Sequence, residues 1–351
     1  MKRIYLDYAS LTPIDKGVLR EICKYSKPEY TNPSSIHVSG VKAFNAIKDA
    51  KTRIANVIHA HPDEIVFTSG GTESNDLVFK KFDGKKILIS EIEHSSIIKN
   101  NAVRIPVLKN GVVDIDAFKK LLTTDVSLVS IMLVNNEIGS IQPIAEISKI
   151  IRDFNKRNNT NIIFHTDACQ AICHIPLYVE KLSIDLMTLD GHKMYGPRGV
   201  GMLYVKRGLK IERNGTENTP SIQGLALAIE KSEILRDKET KRIQELKKYF
   251  ITELQKINTD ISVNGDIENS APHILNVCIP DIDNEFFILQ LDAKGIECSS
   301  KSACLRDEDE SYVLKAIGAN SKNSIRFSFG RDTDKGDIKK TLGVIKKILG
   351  K

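Results

Sequence analysis

The sequence predicts an α/β protein with a mostly parallel central sheet in a large domain and a small α+β domain beside it. Three observations predict this. The chain has 351 residues, 41% hydrophobic and 27% charged, which suits a folded globular protein with two cores at about 150 residues per domain. From residue 40 to about 205, short apolar runs alternate with amphipathic helical patterns, and runs apolar on both faces with helices between them belong to parallel sheets. From Ala226 to Ile257 a charge-rich helical stretch holds neither proline nor glycine, and it connects the first set of elements to shorter ones.

In chain order, the stretch from Ala43 to Ile58 spaces its apolar residues as a helix, and Glu64 to Thr68 reads as a strand. Further strands are expected at Lys86 to Ser90, Val126 to Met132, Ile162 to His165, Ile184 to Leu189 and Gly201 to Val205, with a helix from Ile144 to Arg157. After the long helix, His273 to Ile279 reads as a strand. Ile338, Leu342, Ile345 and Leu349 fall on one face of a last helix with lysines opposite, a face expected to dock on the small domain and not on a membrane surface. The large domain is drawn at 14–245, and the small one at 1–13 and 246–351.

Lys and Arg number 51 against 45 Asp and Glu, a net +6 without basic blocks, so direct nucleic-acid binding is not expected. No apolar run has membrane-spanning length, and Met1-Lys2-Arg3 leads into Ile4-Tyr5-Leu6-Asp7 without a signal core. A cytoplasmic location is expected. The six cysteines, at 23, 169, 173, 278, 298 and 304, are too few for a disulfide scaffold. Cys169-x3-Cys173 lacks the second ligand pair of a structural zinc site, and His59-Ala60-His61 precedes Pro62 in a helix-to-strand loop, so no metal is expected.

Chemistry concentrates after predicted strands, where open α/β sheets bind ligands. Thr68-Ser69-Gly70-Gly71-Thr72-Glu73-Ser74-Asn75 leads into a helix expected to begin near Ser74; such a turn presents amides, hydroxyls and a positive dipole end to a phosphate. It lacks the Gly-Lys-Ser/Thr of a nucleotide P-loop. Asp167, at the end of a strand, either holds a heteroaromatic nitrogen protonated or caps a helix. In Asp190-Gly191-His192-Lys193-Met194-Tyr195-Gly196-Pro197 a lysine sits in a turn fixed by glycine and proline between apolar strands, a setting that makes an amine a Schiff-base nucleophile.

With these motifs the sequence resembles the cysteine desulfurase branch of the class V aminotransferase family, which are fold-type I pyridoxal-phosphate (PLP) enzymes. The resemblance covers almost the whole chain. Its segments include Tyr5-Leu6-Asp7-Tyr8-Ala9, Asn32-Pro33-Ser34-Ser35-Ile36-His37, Glu93-His94, Asn135-Asn136-Glu137, Asp167-Ala168-Cys169-Gln170, Gly191-His192-Lys193, Asn214-Gly215-Thr216-Glu217-Asn218, Ser302-Ala303-Cys304 and Ser324-Ile325-Arg326-Phe327-Ser328. It implies a fold-type I PLP-dependent transferase with pyridoxal 5'-phosphate on Lys193, Asp167 at the pyridine nitrogen, Gln170 at the ring hydroxyl and His94 stacked on the ring to handle protons. It further implies that Gly71, Thr72 and His192 hold the phosphate, that Thr216 reaches the other subunit of a homodimer, and that Asn136 and Arg326 bind the substrate carboxylate. L-cysteine would become L-alanine, with a persulfide on Cys304 passed to a sulfur-acceptor protein for iron–sulfur clusters or thiolation.

Three residues or segments depart from the family pattern. Asp190 stands where the family usually has a phosphate-binding serine, the link from Lys206 to Glu212 is shorter than the family's glycine-rich segment, and Lys301 replaces a glycine before Ser302-Ala303-Cys304. From Glu297 to Glu310 two cations, Lys301 and Arg306, face five anions. Asp190 and the shortened link leave as an alternative a weakened or inactive homologue that serves as a scaffold or binding partner; a related PLP enzyme such as a selenocysteine lyase, whose chemistry needs many of the same groups, is the other.

Overall fold

The computed structural model describes residues 3–27, 31–301 and 310–351. The chain opens with β1 (Ile4–Tyr5), α1 (Lys16–Ser26) and α2 (Val38–Ile58). Then follow β2 (Ile65–Thr68), α3 (Gly71–Lys81), β3 (Lys86–Ser90), α4 (Ser95–Ile98), β4 (Val103–Ile105), α5 (Ile115–Leu121) and β5 (Val126–Ser130). α6 (Ile144–Asn158), β6 (Ile163–Asp167), α7 (Val179–Leu182), β7 (Leu186–Asp190) and β8 (Gly201–Val205) complete this region. Its strands form a seven-stranded sheet in the order β2-β8-β7-β6-β5-β3-β4. β8 is antiparallel to both neighbours, and the other pairs are parallel. The link between β7 and β8 is shorter than the roughly dozen residues a parallel crossover needs, which forces that reversal.

β6, β7 and β8 are buried at every position, which is why they read as continuous apolar runs and not as alternating ones. β6 and β7 run on to Asp167 and Asp190, past the predicted ends at His165 and Leu189. Polar side chains masked those ends, yet they are satisfied inside: Thr166 Oγ1, for example, donates to the Ile131 carbonyl at 2.8 Å. α2 likewise starts five residues before Ala43, with His37 as its cap, and its added turn is largely solvent-facing.

α8 (Thr219–Ile257) starts before the predicted Ala226 because Pro220 lies in the first turn, where an amide is not required, and Asn218 caps the Ser221 amide. Its first part buries Ile222, Leu225 and Ile229 in the core of the large sheet, and its second part buries Ile243, Phe250 and Leu254 in another core. The second core is built with β9 (Ser262–Val263), β10 (Ile274–Cys278), α9 (Asn284–Ala293), β11 (Ile296–Glu297), β12 (Ser324–Ser328) and α11 (Lys335–Ile348), while α10 (Tyr312–Ala316) packs Val313 and Leu314 against Ile92 and Ile138 instead. Its sheet is ordered β12-β10-β9, and β1 pairs in parallel with β11. α11 buries Ile338, Leu342 and Ile345 in this core, so its apolar face is docked. Among the described residues no helix is long and apolar enough to cross a membrane.

Phe250 is fully buried, with its ring edge-on to Phe327 and Phe329 at centroid distances of 5.0 and 5.8 Å. Phe250→Ala is expected to destabilise the chain by about 3–5 kcal/mol, read from urea unfolding. A loss below about 1 kcal/mol would show that this ring cluster does not hold the second core.

Candidate active site

A cavity of about 180 Å³ opens at the carboxyl ends of β3, β5, β6 and β7. Asp167 closes β6 and is buried. Its Oδ2 accepts from Asn75 Nδ2 at 2.9 Å and its Oδ1 from the Cys169 amide at 3.0 Å. Asp167 thus shapes a turn and still presents its carboxylate to the cavity, and no helix begins there for it to cap. Beneath it, His165 bridges Ser130 and Thr188 at 2.8 and 3.0 Å. Burial pushes the His165 pKa down to about 4, so the ring is neutral near pH 7.

Lys193 follows β7, and its Nζ donates to the carbonyls of Ala9 and Ser10 at 2.9 and 2.8 Å. His94 caps α4, with its Nδ1 accepting the Ser96 amide at 3.3 Å. In the neutral ring the proton then lies on Nε2. Gln170 Nε2 donates to the Ala9 carbonyl at 2.9 Å, and its Oε1 faces His273 Nε2 at 3.2 Å. Arg326 reaches the cavity from β12, 1% exposed. Its guanidinium donates to Asp7 Oδ1 (2.8 Å), Ser10 Oγ (2.7 Å) and the Asn136 carbonyl (2.9 Å). Its Nε is buried without a partner.

At the other end of the cavity, α3 begins at Gly71, three residues before the expected Ser74. Gly70 makes that entry with φ of +154°, a conformation open to glycine. Thr72 and His192 line the same end. So does Asp190: its Oδ2 accepts the Gly71 amide at 2.6 Å, and its Oδ1 lies 2.6 Å from His192 Nδ1. Burial pushes the Asp190 carboxyl up, but the bonds from His192 and Gly71 outweigh it and hold the pKa below the usual range.

Lys193, His94, Asp167, Gln170, Asn136 and Arg326 therefore meet at one cavity, and Gly71, Thr72 and His192 meet at its far end. Thr216 is exposed in the link before α8 and does not line this cavity. Cys304 lies outside the described residues. The sequence reading missed Asn75, one helical turn beyond Gly71, although the spacing places both on one face. Cys169, given no role from the sequence, lines the cavity as well. Burial, then the charges of Asp167 and Asp190, push the Cys169 thiol well up, so it stays protonated. Among the described residues no cluster of His, Cys, Asp and Glu is arranged to hold a metal ion.

A pyridinium ring suits this donor set. Asp167 offers a buried acceptor for a ring N–H, the orphaned Asn75 Oδ1 and Arg326 Nε lack only a polar ligand, and Lys193 supplies the amine. The phosphate end carries the Gly71 amide and His192 as donors, with the Asp190 carboxylate accepting from both.

An open sheet with such a pocket at its carboxyl edge is the architecture of the fold-type I PLP proteins. The chain belongs to the aminotransferase class-V family, in its cysteine desulfurase branch. The model of that family, Aminotransferase class-V, matches residues 4–213 and 209–341, two pieces that meet in the short link after β8. A cysteine desulfurase IscS of Dictyoglomus turgidum is 40% identical over 383 aligned residues, covering 100% of this chain and 96% of that protein. A NifS-like protein of Rickettsia africae superposes with a TM-score of 0.90 at 30% identity, over 99% of this chain and 100% of that one. A structure described as SspA in complex with cysteine superposes with a TM-score of 0.76 at 30% identity, over 93% and 98%.

Glu93, beside His94, is fully buried, and its Oε1 accepts the Met132 amide at 2.7 Å. Burial, with the charge of Asp167, raises its pKa to about 8. A carboxyl raised in the folded state contributes stability that is whole below its unfolded pKa, near 4.3, and is lost as pH rises through about 8. Glu93→Gln removes that loss, so the melting temperature of the variant relative to wild type should climb between about pH 5 and 8. A constant difference in melting temperature across this range would contradict the buried neutral carboxyl.

Proposed function

We propose that this chain is a PLP-dependent cysteine desulfurase that converts L-cysteine to L-alanine and takes up the sulfur as a persulfide on Cys304. The observation that carries this reading is the convergence of Lys193 and Asp167, from the large sheet, and Arg326, from the small one, on one cavity. The cysteine desulfurase relatives and the cysteine-bound neighbour support the choice of substrate.

When bound, the cofactor supplies an electron sink that makes the bonds at the amino acid's Cα labile. Asp167 holds the proton on the ring nitrogen, with Asn75 fixing its carboxylate. Gln170, tied to Ala9 and His273, orients the ring hydroxyl. Lys193 Nζ is the amine that would hold the cofactor and that, when free, would move a proton at the substrate Cα. His94 Nε2 is its partner in proton transfer. Arg326, with Asn136, binds the substrate carboxylate, for which a planar guanidinium is well shaped. The Cys304 thiolate attacks the substrate sulfur: an S–S bond forms, the C–S bond breaks, and the carbon skeleton takes up protons to leave as alanine.

A homodimer fits the same reading. Thr216 stands exposed outside its own cavity, and Ile36, Val41 and Phe44 expose an apolar stretch in a groove shared with Glu217. The acidic run around Cys304 suits a basic docking face on a sulfur-acceptor protein of the cytoplasm, either an iron–sulfur scaffold or a thiolation protein.

Purified protein with PLP and L-cysteine is expected to release alanine and, with a reductant, sulfide. Lys193→Ala and Cys304→Ser should each lower alanine formation by about 10²-fold or more, and Cys304→Ser should still bind the cofactor. Full persulfide loading in Cys304→Ser would remove Cys304 from the reaction, and undiminished turnover in Lys193→Ala would end the desulfurase reading.

A further inference from the structure

We propose that Asp190 sets how tightly this chain holds the cofactor's phosphate, because its carboxylate is an internal anion already seated in the phosphate cradle. The inference rests on the PLP reading above and adds a specificity-determining residue to it.

The cradle is built by three elements. α3 contributes its first amide, that of Gly71. The turn after β7 contributes the amide and the ring of His192. β8 begins between them at Gly201, whose register partners are Thr68 on one side and Asp190 on the other. A Cβ at residue 201 would stand 2.7 Å from the Gly70 Cα, so the missing side chain lets the entrance of α3 close over the start of β8. That closure brings the Gly71 amide within reach of Asp190 from across a strand. The carboxylate then takes the Gly71 amide at 2.6 Å, the His192 amide at 3.2 Å and the His192 ring at 2.6 Å. These are the donors an oxyanion seeks at a helix N-terminus.

Asp190 is 6% exposed, so water does little to screen it. An entering phosphate must either displace the carboxylate from Gly71 and His192 or lie beside it as a like charge, and both routes weaken binding. Asp190 also caps the turn that carries Lys193, by accepting the His192 amide, but a serine or asparagine can do that without charge. The charge itself therefore acts on the phosphate and leaves the ring end, held by Asp167 and Lys193, unaffected.

The test is equilibrium dialysis of the full-length, cofactor-stripped protein against PLP and, separately, against pyridoxal, which has the ring and aldehyde without the phosphate. Asp190→Ser and Asp190→Asn are expected to tighten PLP by about tenfold or more while changing pyridoxal by less than about twofold. Circular dichroism identifies a variant that fails to fold, and the near-isosteric Asn variant then decides. PLP affinity unchanged or weakened, or both aldehydes shifted alike, would overturn the role of Asp190 and leave the cofactor assignment standing. Binding of neither aldehyde by wild type and variants would overturn the cofactor assignment itself, and this inference with it.

Discussion

The structure turns on one buried cation, the guanidinium of Arg326. A charge taken from water is tolerated only when paired and hydrogen-bonded, and none of its side-chain partners lies in its own sheet. Asp7 and Ser10 belong to the N-terminal segment, and the Asn136 carbonyl follows β5 of the large sheet. The segment is in turn fixed from both sides. The Ser328 amide donates to the Leu6 carbonyl and the Ala9 amide to Ser328 Oγ, while Thr12 bonds to His192 and Tyr195. Lys193 uses the carbonyls of Ala9 and Ser10 from the same stretch. A few residues at the start of the chain thus place the site's lysine and its arginine relative to each other.

Electrostatics divides the cavity into two ends. Near the ring end two acidic residues lie close together, Asp167 solvated by amide donors and Glu93 without water, and the environment drives them apart in role. Below them the buried His165 is neutral and adds no charge that would compete for Asp167. The other end gathers donors at the start of α3 and spends them on Asp190. Donor-rich geometry and net attraction for an anion are different properties, and this chain keeps the first while curbing the second.

Much of this was legible in the amino-acid sequence, for physical reasons that also mark where it was not. The fully buried strands announced themselves as apolar runs, and the apolar face of the last helix at Ile338, Leu342 and Ile345 gave its docking. The last residues of β6 and β7 fell outside the predicted ranges, because the polar side chains that close these strands break the apolar pattern although they are buried. Short strands such as β4, with two of its three residues exposed, left no periodic signal. In the site, Lys193 and Asp167 stood out because turn chemistry and strand-end position constrain them. The carbonyls of Ala9 and Ser10 were invisible, since a backbone acceptor has no residue identity. The place of Cys169 in the cavity did not show, because spacing says nothing about which way a small side chain faces.

α8 has 39 residues, about 58 Å of continuous helix at 1.5 Å per residue, and it is sunk into both cores. A rod shared in this way makes the two parts of the chain one thermodynamic body. Fraying it within the small-sheet core exposes Ile243, Phe250 and Leu254 and shortens the rod that carries Ile222, Leu225 and Ile229 in the large one, so opening of one core is felt by the other.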